Sequence, residues 1–154
     1  MARPSPRDHL PRMFIGEYLH TFDSKNRISL PSKFRKELGR AVVVARGLDH
    51  CLYVYSRKAW EKEARAYAAA ASGNAASRGL ARLFLAGSSE AEVDRSGRVL
   101  IPDHLRTFAS LSGTAVIAGV ADRVEIWEED AWKKYTAAIE RDADAFAEKV
   151  GAAT

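Results

Sequence analysis

Hydrophobic and polar positions alternate along two stretches of the chain, a pattern that predicts β-strands. The first stretch covers residues 14–22, and the second is the shorter one around Ala91 and Val93. Each is followed by a polar turn and by a second short apolar run, at residues 27–30 and 98–101. We therefore predict one β-hairpin in each half of the chain.

A proline follows each predicted hairpin, Pro31 in the first half and Pro102 in the second. Proline fixes φ near the helical value, so each is suited to the start of a short helix. In the first half Phe34 and Leu38 give this helix an apolar stripe, and Gly39 can end it. Two β-rich runs then follow in each half, at residues 41–45 and 51–55 and at residues 114–118 and 123–127.

Longer helices are predicted between and after the two hairpin units. Ser56 is a suitable N-cap for a helix that extends towards residue 71, and a break at residues 72–74 separates it from a second helix at 75–86. Acidic residues at 128–130 favour the amino end of a last helix, from residue 129 to about residue 150.

The two halves are copies of one another. At an offset of 71 residues, four chemically distinctive residues recur in the same order: Asp23, Arg27, Pro31 and Arg35 match Asp94, Arg98, Pro102 and Arg106. Each copy has only four short strands and one turn of helix, too little to bury a core alone. We therefore predict that the copies pack together about a pseudo-twofold axis.

Composition narrows the class of protein. The chain has 154 residues, of which 47% are hydrophobic and 29% charged, as expected for a soluble globular protein. No apolar run approaches the ~20 residues of a membrane span, and no signal peptide is evident, so a cytoplasmic location without membrane association is expected. The single cysteine, Cys51, excludes a disulfide framework and a multi-cysteine zinc site, and a buried thiol is the favoured interpretation.

The positive charge is concentrated in the first quarter of the chain. Residues 1–40 hold nine basic and four acidic side chains, a net charge of +5 in a chain whose total is +4. A basic segment favours a polyanionic partner, nucleic acid first, although a solvated basic face without a partner is an alternative. The four histidines are scattered and no nucleotide-binding loop or metal motif occurs, so neither enzymatic activity nor a cofactor or metal is expected.

The motifs Asp-Ser-Lys-Asn-Arg at residues 23–27 and Asp-Arg-Ser-Gly-Arg at residues 94–98, each followed by a strand and a proline, resemble those of the bacterial MraZ family. So does the opening Met-Phe-Ile-Gly-Glu-Tyr at residues 13–18. The resemblance covers about residues 13–136. Asn26 stands where glycine is common in the family. Asparagine tolerates the positive φ that such a turn needs.

The resemblance implies a fold and a function. It implies an α+β fold of two tandem swapped-hairpin repeats of the SpoVT-AbrB type, related by a pseudo-twofold, with peripheral helices and a C-terminal helix. It also implies a transcriptional regulator that assembles into a ring-shaped homo-oligomer and is associated with the nucleoid. Such a protein would bind double-stranded DNA at short direct repeats upstream of the division and cell-wall gene cluster that contains its own gene.

These expectations divide the chain into five segments. Residues 1–12 are a basic extension, expected to be disordered. The first SpoVT-AbrB-like domain is placed at residues 13–60, a helical connector at 61–88, the second domain at 89–132, and the C-terminal helix and tail at 133–154.

The candidate DNA-binding residues lie in and behind the first turn: Lys25, Arg27, Lys33 and Arg35. Cations on a projecting turn can meet phosphates, and arginine can also bind guanine. A second group is expected to shape the turns, namely Asp23, Asn26, Asp94 and Gly97, with Arg98 as the arginine of the second motif. The alternative is that the aspartates and arginines only stabilise the turns, and that Lys33 and Arg35 lie on a solvated helix face.

Charge predicts that the two motifs differ in role. Residues 19–40 have a net charge of +4, whereas the aligned residues 90–111 have a net charge of −1. We therefore expect the first copy to bind DNA and the second to complete the fold, so that the substitution Arg98→Ala barely changes DNA affinity.

The alternative function is a ring-forming assembly or protein-recruiting scaffold with only non-specific affinity for DNA.

Overall fold

The two halves of the chain fold into the same series of elements in the computed structural model, which describes residues 13–153. The first half contains β1 (Phe14–Thr21), β2 (Arg27–Ser29), α1 (Ser32–Leu38), β3 (Ala41–Arg46), β4 (Leu52–Ser56) and α2 (Arg57–Ala70). Helix α3 (Ala75–Gly87) leads to β5 (Ser89–Glu92), β6 (Arg98–Leu100), α4 (Asp103–Phe108), β7 (Thr114–Ala121), β8 (Arg123–Glu128) and α5 (Glu129–Ala153). The predicted basic extension at residues 1–12 lies outside the described residues.

A six-stranded antiparallel sheet joins the two copies, in the order β1-β7-β8-β4-β3-β5. The order reads the same from both ends once each strand is replaced by its counterpart, β1 by β5, β3 by β7 and β4 by β8. A pseudo-twofold axis therefore passes between β4 and β8. The prediction of an α+β fold with two related repeats is confirmed.

The first strand of each copy pairs with the other copy rather than with its own. Leu19 of β1 lies opposite Val116 of β7, and Ala91 of β5 lies opposite Val42 of β3. The short strands β2 and β6 form a separate two-stranded sheet in which Ile28 faces Val99. Neither copy can complete a sheet alone, which is the arrangement of a swapped hairpin.

The main core lies between one face of the six-stranded sheet and the layer formed by β2, β6, α1 and α4. Ile28 and Val99 at its centre are fully buried, as are Phe34 of α1 and Leu105 of α4. Because these residues come in equivalent pairs from the two copies, each copy supplies half of the apolar surface that the other needs.

The opposite face of the sheet carries a second, aromatic cluster covered by the longer helices. Tyr55 on β4 packs against Trp60 of α2 with ring centroids 5.6 Å apart, and Trp127 on β8 packs against Trp132 of α5 at 5.3 Å. Cys51 is buried in the same cluster, as its sequence context predicts. None of the helices within residues 13–153 combines the length and apolar character needed to cross a membrane.

Side-chain caps set the starts of α2 and α3. The Oγ of Ser56 accepts the N–H of Ala59 at 3.2 Å, which confirms the predicted cap. The Oδ1 of Asn74 accepts the N–H of Ser77 at 2.9 Å, so the predicted break at residues 72–74 also contains the cap of the next helix.

The swapped strand β1 depends on one aromatic anchor, Phe34. Its ring is 1% exposed and meets Phe14 and Tyr18 of β1 edge to face, with centroids 5.5 and 5.4 Å away. We expect Phe34→Ala to lower the free energy of unfolding by about 3–5 kcal/mol, measured by urea denaturation. The control, Leu80→Ala on the exposed side of α3, should change it by less than about 1 kcal/mol. Equal losses in the two variants would contradict this account of β1.

Candidate nucleic-acid interface

The two Asp-x-x-x-Arg turns lie side by side because each is hydrogen-bonded to the other copy. The N–H of Leu30 donates to the carbonyl of Gly97 at 2.9 Å, and the N–H of Ile101 donates to the carbonyl of Asn26 at 3.2 Å. These two bonds flank the β2–β6 ladder. The turns at residues 23–26 and 94–97 are therefore one structural unit.

The aspartate at the start of the first turn organises the backbone that follows it. The Oδ1 atom of Asp23 accepts the N–H groups of Lys25 and Arg27, both at 2.9 Å, and its Oδ2 accepts the Nε–H of Arg27 at 2.8 Å. Asn26 adopts a φ of 61°, a left-handed conformation that asparagine tolerates better than most residues. The turn thus presents Lys25 outward while its own N–H groups are satisfied.

The second turn repeats this arrangement. Asp94 Oδ1 accepts the N–H groups of Ser96 at 2.9 Å and Arg98 at 2.8 Å, and Oδ2 accepts the Nε–H of Arg98 at 3.0 Å. Gly97 has a φ of 79°. The two aspartates hold the same position and make the same bonds in both copies.

Each motif arginine also contacts the aspartate of the other copy. The Nη1 atom of Arg27 lies 3.7 Å from Asp94 Oδ2, and the Nη1 atom of Arg98 lies 3.6 Å from Asp23 Oδ2. Asp23, Arg27, Asp94 and Arg98 thus form a closed ring of alternating charge, which we call the Asp–Arg quartet. Between 27% and 34% of each side chain is exposed, so the quartet reaches solvent on one side.

Arg27 and Arg98 therefore have equivalent surroundings. The net charges of the two motifs predict different roles for these two arginines. Arg98 contacts Asp23 of the first motif and so belongs to the same unit as Arg27. This contact between copies was missed from the sequence, because a repeat offset gives equivalent positions but not which of them touch.

Hydrogen bonding keeps both aspartates of the quartet ionised. The pKa of Asp23 is held below its usual value, mainly because the backbone N–H of Arg27 donates to its carboxylate; the side chain of Arg27 adds to this effect and partial desolvation opposes it. The pKa of Asp94 is lowered for the same reasons by Arg98. At neutral pH both carboxylates can thus accept all the bonds described.

The other predicted DNA-binding cations lie at the tip of the first turn and on the helix α1 that follows it. Lys25 at the turn tip and Lys33 on α1 are exposed. Arg35 is half-buried, and its guanidinium lies directly against Gly97 of the second turn. Within residues 13–153 none of these three side chains forms an ion pair, so their charge is available to a ligand.

A difference between the copies explains why Arg35 is available and its counterpart is not. Arg106 is held by the carboxylate of Asp103 and by the carbonyl of Ile101, to which its Nε–H donates at 3.0 Å. The position equivalent to Asp103 is Ser32, which has no carboxylate with which to hold Arg35. The sequence already indicates this difference, because Asp103 has no acidic counterpart when the two repeats are aligned.

The strand pairing and the quartet define a protein with two tandem swapped-hairpin repeats joined at their turns. A family model described as "MraZ protein, putative antitoxin-like" matches residues 13–83 and again residues 84–151. The chain belongs to this family, so the resemblance drawn from the motifs is confirmed. The family match divides the chain within α3, and the finer division into five segments stays a prediction.

Relatives align with almost the whole chain. A protein of Carboxydothermus hydrogenoformans named "Transcriptional regulator MraZ" is 44% identical over 138 residues, which are 90% of this chain and 96% of the relative. Proteins of the same name from Moorella thermoacetica and Roseiflexus castenholzii are each 41% identical with the same coverage.

The quartet makes stability depend on pH in the acid range. Because the folded-state pKa values of both aspartates lie below the ordinary value of 3.8, their contribution is complete above that pH and is lost as pH falls through the lower folded values. We expect Asp94→Asn to be less stable than wild type at neutral pH and to lose less stability on acidification, measured by urea denaturation. Asp122→Asn, at an exposed position, should follow the wild-type curve, whereas an Asp94→Asn curve parallel to wild type would contradict this account.

Proposed function

We propose that this protein is a transcriptional regulator that binds double-stranded DNA in a sequence-specific manner through the first-copy turn. The observation that carries the proposal is the joined pair of turns, held by the quartet and bordered by cations that form no ion pair within residues 13–153. The names of the relatives support a regulatory rather than an enzymatic role.

The first turn and helix α1 offer two kinds of contact to DNA. Lys25 and Lys33 are exposed ammonium groups suited to phosphates, which set affinity and register. Arg27 directs its Nε–H to Asp23, and its Nη1 lies 3.7 Å from Asp94, so the two carboxylates hold the guanidinium in one orientation. A guanidinium oriented in this way can bind guanine O6 and N7, a common specific contact in the major groove. Asp23 acts as the positioning residue for Arg27.

We also propose that the protein forms a ring-shaped homo-oligomer that engages short direct repeats upstream of its own gene, within the nucleoid. Strand β1 is an edge strand, and its residues Ile15 and Leu19 are each 60% exposed. Unpaired edges with apolar side chains favour association with another copy, and identical heterologous contacts close into rings when the rotation allows. Several protomers on tandem repeats would then gain affinity through effective concentration.

One observation favours the second candidate, an assembly scaffold with only non-specific DNA affinity. Helix α5 carries exposed apolar side chains among acidic residues, namely Ile139, Phe146 and Val150. A helix of this kind could recruit a protein partner. The scaffold and the regulator differ in whether DNA sequence matters.

A gel-shift comparison at fixed salt separates the two candidates. The probes are the duplex upstream of the protein's own gene and a scrambled duplex of equal length and composition. The regulator should bind the first duplex at least about tenfold more tightly, and log affinity should fall with log salt with a slope of several units. Equal affinities for the two duplexes would favour the scaffold, and a salt-independent affinity would contradict the phosphate contacts.

The asymmetry of the copies is tested best at the turn tips, where Lys25 of the first motif corresponds to Ser96 of the second. Neither side chain belongs to the quartet, so exchanging them should leave the fold intact. We expect Lys25→Ser to weaken DNA binding several-fold and to reduce the salt slope by about one per engaged protomer, measured by fluorescence anisotropy. The matched control, Ser96→Lys, should not weaken binding. Unchanged binding by Lys25→Ser would contradict the role of the first turn.

A further inference from the structure

An open groove beside the quartet is built from both copies of the repeat. Its volume is about 990 Å³, and three arginines line it, Arg35 and Arg40 from the first copy and Arg95 from the second. The copies are fixed to each other here, because Val93 N–H donates to the carbonyl of Arg40 at 2.8 Å. The relative placement of the arginines is therefore set by the swapped fold.

The three guanidinium groups have no acidic partner in the described part of the chain. Arg40 and Arg95 are exposed, and Arg35 is positioned by its contact with the backbone of Gly97. Any Cβ at residue 97 would overlap the Arg35 guanidinium. Gly97 thus serves two purposes, since it allows the positive φ of its turn and also makes room for an arginine of the other copy.

Two carboxylates border the groove and leave it positively charged. Asp94 is occupied by the N–H groups of Ser96 and Arg98 and by the Arg98 side chain. Glu92 is exposed on the edge strand β5, opposite Ala41 of β3. The groove thus contains three guanidinium groups and two carboxylates, and one of the carboxylates is already hydrogen-bonded. The net positive charge attracts an oxyanion.

We propose that this groove binds a backbone phosphate of double-stranded DNA, with Arg35, Arg40 and Arg95 as its donors. Guanidinium groups match phosphate oxygens in geometry and can donate two parallel hydrogen bonds. The inference rests on the proposed DNA binding, and it extends the DNA surface to the second copy, whose Arg95 had no assigned role. A phosphate contact carries no sequence information, so the site contributes affinity rather than specificity.

The test uses the full chain and a random-sequence duplex, measured by fluorescence anisotropy over a range of salt. Arg95→Ala and Arg40→Ala should each lower affinity about three- to tenfold and reduce the log–log salt slope by about 0.9 for each phosphate that is no longer neutralised. Arg141→Ala on the exposed face of α5 is the matched control and should behave as wild type. Glu92→Gln should bind the duplex more tightly, since it removes a negative charge from the groove.

Several results would overturn the inference. If Arg95→Ala and Arg40→Ala bind DNA as tightly as Arg141→Ala, the groove does not bind phosphate. The proposed function would be unaffected by that result. An altered assembly size of either variant by light scattering would assign the arginines to a subunit contact. Inorganic phosphate that protects wild type but not Arg95→Ala against thermal unfolding, without any effect of the substitution on DNA binding, would make the groove a small-anion site. A wild-type protein that binds no duplex at all would refute both proposals, whereas equal binding to upstream and scrambled duplexes would refute only sequence-specific regulation.

Discussion

The Asp–Arg quartet is the contact on which the geometry of the candidate interface depends. Each aspartate fixes its own turn through backbone N–H groups and at the same time faces the arginine of the other copy. Partly exposed ion pairs contribute little free energy each, so the importance of the quartet is geometric. Together with the backbone bonds between the copies, it joins two turns from distant parts of the chain into one surface, beside the groove that the β3–β5 pairing holds.

The swapped sheet and the quartet constrain the evolution of the two copies differently. Core positions stay apolar in both copies, as with Ile28 and Val99 or Phe34 and Leu105, because each packs in the core that the two copies share. Surface positions are free to differ. The exchanges Lys25 to Ser96 and Ser32 to Asp103 alter charge without affecting the core. A symmetric scaffold can therefore carry an asymmetric binding surface.

Sequence patterns were sufficient to predict the elements but not how they pair. The alternation around residues 14–22 and the prolines after each hairpin predicted β1, β2 and the short helices, because these signals are local. The exchange of β1 and β5 between copies came only from the family resemblance, since strand partners are set by tertiary packing. The net charges of the two copies differ, and this difference can be read from the sequence. The contact of Arg98 with Asp23 and that of Arg35 with Gly97 cannot, because each joins residues more than sixty positions apart.

The quartet couples the two turns, and a double-mutant cycle on Asp23 and Arg98 tests this coupling most directly. The substitutions Asp23→Asn and Arg98→Gln, alone and together, would be compared by the urea midpoint of unfolding. Coupling predicts that the double variant loses less stability than the sum of the losses in the single variants. Effects that simply add would show that the Asp23–Arg98 contact does not couple the two turns, and would contradict the account.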